Sequence, residues 1–61
     1  LELIRRVRIN HVKALLRETD LKLDVISRMT GFSYTAYMVG CFKEMEGITP
    51  GQYRKSVVSS S

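Results

Sequence analysis

Cysteine, histidine and proline are each present once in this sequence, and each scarcity excludes something. A lone Cys41 cannot close an internal disulfide, and with His11 as the single histidine no cluster has the spacing of a metal site. No apolar run approaches the roughly 18 residues that cross a bilayer, and no segment has the pattern of a signal peptide. The expected compartment is therefore the reducing cytoplasm, with no membrane partner. Pairs of His, Asp, Glu, Cys or Ser at catalytic spacing are missing too, and a bundle this small builds no deep pocket. We expect no enzyme, no cofactor and no metal. Cys41 itself falls on an apolar stripe and reads as a small inert hydrophobe.

What is present suits a small globular domain. Sixty-one residues with 44% hydrophobic and 26% charged side chains lie near the lower limit for unaided folding. Ten Lys and Arg against six Asp and Glu give a net charge of +4, so the average surface attracts polyanions.

Residues 1–19 contain neither Gly nor Pro and read as one helix. At about 100° per residue, Leu1, Ile4, Ile9, Val12, Leu15 and Leu16 share a wide stripe that should face the core. Leu3, Val7 and Ala14 gather about half a turn away, beside a basic strip of Arg6, Asn10, Lys13 and Arg17. Two apolar stripes call for two neighbours, and a chain this short supplies only one, unless the three are isolated surface residues. Arg8 stands inside the main stripe, where an unpaired charge is costly. It should meet Asp24 or Glu44, or extend its head outward.

The organising stretch is residues 21–45. A second helix over 22–30 puts Leu23, Ile26 and Thr30 on one side, with Ser27 small enough for a close helix crossing. Lys22 opposes the helix dipole at its start; Asp24 partly compensates, and Asp20 is the alternative cap. Gly31 should supply a positive φ, Phe32 a core side chain, and Ser33 the N-cap of a third helix over 34–46. On that helix Tyr37, Met38, Cys41, Phe42 and Met45 form the inner stripe, and Thr35, Ala36, Val39, Gly40 and Lys43 the outer one. Two helices meeting at such a corner make a helix-turn-helix. The expected fold class is all-α, a small homeodomain-like helical bundle with a long N-terminal helix. Gly47 ends the third helix, and Thr49-Pro50-Gly51-Gln52 predicts a capping box for a fourth. Tyr53 should return to the core while Arg54 and Lys55 stay exposed. The expected division is 1–19, a linker helix; 20–55, the helix-turn-helix with its closing helix; and 56–61, a flexible tail.

In a helix-turn-helix the outer face of the third helix meets DNA. Thr35, Ala36 and Val39 suit thymine methyls, Thr35 adds one donor, and Lys43 and Arg54 can reach phosphates. Ser33 and Tyr34, at the helix start, complete the candidate DNA-binding set. Gly40 permits close approach at a cost of roughly 1 kcal/mol relative to Ala. No Arg, Gln or Asn stands there for bidentate base reading.

Four motifs carry a resemblance. R-x-R-I-x-x-V-x-x-L-L-R-E-T-D-L from Arg6, I-S-x-x-x-G-F-S from Ile26, Y-x-x-x-x-F-K from Tyr37 and G-I-T-P-x-x-Y-R from Gly47 occur in that order. This resembles the C-terminal half of the DNA-binding domain of AraC/XylS-type bacterial transcription regulators. The resemblance implies that 1–19 is the linker helix and 21–45 the second of two helix-turn-helix subdomains. Partners so implied are double-stranded DNA, an N-terminal helix-turn-helix subdomain and a sensing domain outside this stretch, and RNA polymerase. The sequence departs from the family where Gly40 replaces a common Arg, Val39 a polar residue, Met38 a frequent Phe, Lys22 a usual Ser and Val25 a usual acidic residue. Two functions follow: a DNA-binding regulator module making mainly backbone and methyl contacts, or a protein-interaction module of the same fold that has lost base reading.

Overall fold

A computed structural model describes residues 2–59, all of the regular structure among them helical. The elements are α1 (Glu2–Glu18), α2 (Leu23–Met29), α3 (Thr35–Glu46) and α4 (Pro50–Ser59). Leu1, expected on the main stripe, and the last two tail residues lie outside the described range. The four residues before those two continue α4 instead of forming a tail. No Gly or Pro interrupts them.

One core serves all four helices. α1 contributes Ile9, Val12 and Leu16, spaced three and four residues apart on one face. α2 adds Ile26, the corner adds Phe32, and α3 adds Met38, Cys41 and Phe42. Leu15, Leu21, Leu23, Val39, Met45 and Tyr53 close its rim. Five of the buried core side chains, Phe42, Ile9, Ile26, Met38 and Val12, are completely enclosed. Each is worth roughly 1.5–3 kcal/mol in burial, which a 61-residue domain can hardly spare.

Several expected placements are corrected. Ile4 is half exposed, because it lies five residues, about 7.5 Å along the axis, before Ile9, where the core begins. Tyr37 is 51% exposed. It covers the core from outside, its ring edge-on to Phe32 with centroids 5.6 Å apart. Val39, assigned to the outer face, is partly buried against the core and sits between the two faces. The N-cap of α3 is Tyr34 and not Ser33, since the extended corner runs one residue further before the helix begins; no side chain caps it. Lys22 occupies the N-cap of α2, likewise without a side-chain bond, so Asp20 does not serve there.

The two turns demanding left-handed backbone are where glycine was expected. Gly31 has φ 89° and Gly47 φ 85°, and the Gly47 N–H bonds the Lys43 carbonyl at 2.8 Å. The capping box of α4 is complete: the Gln52 N–H donates to Thr49 Oγ1 at 3.1 Å, and the Thr49 N–H to Gln52 Oε1 at 3.0 Å. α4 then places Tyr53 edge-on to Phe42, with centroids 5.5 Å apart.

Candidate nucleic-acid interface

The helix-turn-helix is held at its crossing by small polar residues. Ser27 is buried, and its hydroxyl donates to the Asp24 carbonyl at 2.8 Å while lying 3.3 Å from Thr35 Oγ1 on α3. Thr30, also buried, returns its hydroxyl to the Ile26 carbonyl at 2.7 Å, and the Phe32 N–H bonds the Ser27 carbonyl at 2.9 Å. These bonds satisfy the end of α2, so the corner is rigid without side chains from its outer surface.

That outer surface is open. Ser33, Tyr34, Ala36, Gly40 and Lys43 are exposed, and Thr35 is half-buried. Tyr34 leaves 74% of its surface free. A Cβ at Gly40 would meet nothing within 4 Å, so the outer face of α3 is unobstructed there. Because no side chain caps α3, the N–H groups of its first turn remain available to an anion. Thus the candidate set Ser33, Tyr34, Thr35, Ala36, Gly40 and Lys43 lies along one surface from the corner onto α3. Val39 borders it from a half-buried position.

Arg54 stands apart and is corrected. Expected to be exposed, it is partly buried, and its guanidinium donates to three carbonyls: Leu16 at 3.3 Å, Thr19 at 3.0 Å and Leu21 at 2.6 Å. The last carbonyls of a helix have no partners of their own and favour a cation. Arg54 answers that need at the end of α1. Beside it the Arg17 guanidinium donates to the Tyr53 hydroxyl at 3.1 Å, a bond that raises the arginine pKa further above its ordinary value. Only the proximity of α4 to the end of α1 reveals this lock; no spacing rule points to it.

Of the alternatives expected for Arg8, the two carboxylate partners are taken by other arginines. Asp24 pairs with Arg28 at 3.5 Å and Glu44 with Arg5 at 4.0 Å, so neither neutralises Arg8. Arg8 instead lays its side chain across Gly31, with Nε 3.1 Å from where a Cβ would stand. Lys13 reaches Glu46 at 3.1 Å. Between α1 and the end of α3 lies a polar cleft of about 450 Å³, lined by Arg6, Asn10, Lys13, Glu44, Met45 and Glu46. Among the described residues no group of three or more His, Cys, Asp or Glu side chains can hold a metal. Among the described residues no helix is long and apolar enough to cross a membrane.

An all-α bundle with a rigid two-helix corner and an open third-helix face defines the helix-turn-helix class. A family model described as a helix-turn-helix domain matches residues 1–56. The chain belongs to the AraC/XylS-type family of bacterial transcription regulators. It is 42% identical over 52 residues to an uncharacterized HTH-type transcriptional regulator, YisR, of Bacillus subtilis, covering 85% of this chain and 18% of that protein. To the melibiose operon regulatory protein of Escherichia coli K12 it is 40% identical over 52 residues, 85% of this chain and 17% of the relative. To the transcriptional activator PerA of Escherichia coli O127:H6 it is 38% identical over 47 residues, 77% and 17% of the two chains. The chain thus spans less than a fifth of the length of these relatives. No solved structure matches it.

Proposed function

We propose that this domain is the second helix-turn-helix of a cytoplasmic transcription regulator, in which α1 is the linker and α3 docks in the major groove of duplex DNA. The observation that carries this reading is the unobstructed outer face of α3, flanked by exposed Ser33, Tyr34 and Lys43 and open at Gly40. Ser33, Tyr34 and Lys43 approach phosphates; Thr35, Ala36 and Val39 approach base edges and thymine methyls. With no Arg, Asn or Gln on that face, affinity comes mainly from the backbone and from shape.

Arg54 serves this surface indirectly, by fixing the turn between α1 and α2 from behind. Leu3 and Val7 are 72% and 59% exposed on α1 and suit contact with an N-terminal helix-turn-helix subdomain. The names of the relatives, regulators and activators of transcription, support this assignment. A sensing domain and RNA polymerase are the further partners of such a chain.

The test uses the protein at its natural length on a random-sequence duplex, titrated at several salt concentrations. If Lys43 meets a phosphate, Lys43→Gln reduces the slope of log K against log salt by about 0.9. An unchanged slope, with affinity for a protein partner intact, replaces this reading with the protein-interaction one.

A further inference from the structure

Thr35 was expected to offer DNA a hydrogen-bond donor; its surroundings assign it the opposite polarity. The Ser27 hydroxyl has one proton, and the 2.8 Å bond to the Asp24 carbonyl uses it. The 3.3 Å contact between Ser27 Oγ and Thr35 Oγ1 can then hold a proton only if Thr35 provides it. Two oxygens so close without a proton between them would set lone pair against lone pair. Thr35 has no competing acceptor among the described residues, whereas Ser27 is buried and out of reach of water. The chain of donation therefore runs from Thr35 to Ser27 to the α2 backbone.

From this geometry we infer that Ser27 is a positioning residue that makes Thr35 an acceptor on the groove face, selecting a base that presents an amino group. In the major groove these groups are adenine N6 and cytosine N4, whereas thymine O4 and guanine O6 are acceptors. A hydroxyl free to turn would serve either kind. One whose proton is held inward excludes guanine and thymine at the position it faces. The inference rests on the docking of α3 proposed above and adds to it a polarity and the buried residue that sets it.

The test is a selection from a randomised duplex pool with the natural-length protein, followed by binding to single sites. The parent should enrich adenine or cytosine at one position, and deleting that base's exocyclic amino group should weaken binding about fivefold, the worth of one neutral hydrogen bond. Thr35→Val keeps the shape but lacks the acceptor, so it should be indifferent to the amino deletion. Ser27→Ala should admit guanine or thymine at the same position, with the other positions unchanged and a thermal melt confirming the fold.

Enrichment of guanine or thymine by the parent, lost in Thr35→Val, would overturn the assigned polarity. Unchanged preferences in a folded Ser27→Ala would remove Ser27 from the reading. Should Ser27→Ala not fold, the amino deletion in parent and Thr35→Val still decides the acceptor assignment. The docking itself is tested separately by the salt slope of Lys43→Gln. A slope reduced by Lys43→Gln with no Thr35-dependent position would sink this inference alone, and a slope that Lys43→Gln leaves unchanged, with no enriched motif, would sink both.

Discussion

The junction of α1 with α4 and the corner leading into α3 are built on opposite terms. At the junction polar groups are consumed: Arg54 spends its guanidinium on three carbonyls, Arg17 meets Tyr53, and Thr49 and Gln52 cap each other. Along the outer corner they are left over. Tyr34 caps nothing, the first turn of α3 keeps its N–H groups, and Gly40 faces open space. Thr35 links the two patterns: it is half-buried, with its Oγ1 3.3 Å from the buried Ser27 hydroxyl. Saturated bonding makes a frame, while unsatisfied but solvated groups cost little until a ligand arrives. The contrast supports the proposal that α3 meets DNA while α4 braces the frame, although both ends carry arginine or lysine.

Breaking the frame should have the largest effect. Arg54→Ala strands the carbonyls of Leu16, Thr19 and Leu21 and should cost roughly 2–3 kcal/mol of stability, measured by urea unfolding. Its DNA affinity, measured where the variant remains folded, should stay close to that of the parent. A large affinity loss in a fully folded variant would instead make Arg54 a direct phosphate contact.

Filling the open face comes next. At Gly40 a Cβ meets no atom within 4 Å, so Gly40→Arg leaves the backbone undisturbed and adds a cation where the groove wall is expected. It should raise DNA affinity about tenfold at low salt, equivalent to about 1.4 kcal/mol. No gain, despite the better helix propensity of Arg, would show that another surface faces the groove.

The smallest change is the most diagnostic for the comparison itself. Tyr34→Asp supplies the cap that α3 does not have and should add about 0.5–1 kcal/mol of stability. The same carboxylate would repel phosphates, so DNA binding should weaken as the melting temperature rises. If both quantities rise together, the corner is not turned toward the backbone of DNA.

Much of this architecture is legible in local pattern. Gly31, Phe32, Gly47 and the Thr49–Gln52 box stand as expected because each is decided by neighbours within a few residues: a positive φ, a turn closure, a cap. The inner stripe of α3 follows from helical periodicity, and Met38, Cys41 and Phe42 are buried accordingly. Periodicity failed where the question was how far a neighbour extends. Ile4 and Tyr37 have the right phase but lie at the margin of the core, where about half of each stays exposed, and Ser33 sits one residue before the N-cap of the helix that it was expected to cap. Of the candidate set, the exposure of Ser33, Tyr34, Ala36, Gly40 and Lys43 was legible, with Arg54 the exception: a guanidinium beside the end of α1 binds its carbonyls before it can reach anything outside.

Spacing and composition alone settle that the chain is helical, that its corner opens at Gly31, which face of α3 packs inward, and that the net charge is positive. These are short-range consequences of backbone sterics and hydrophobic period. The folded arrangement alone decides which arginine holds the frame and that Thr35 meets the buried Ser27 hydroxyl. Those outcomes depend on atoms brought within about 3 Å from residues eight to thirty-eight positions apart, a separation at which no local rule carries directional information.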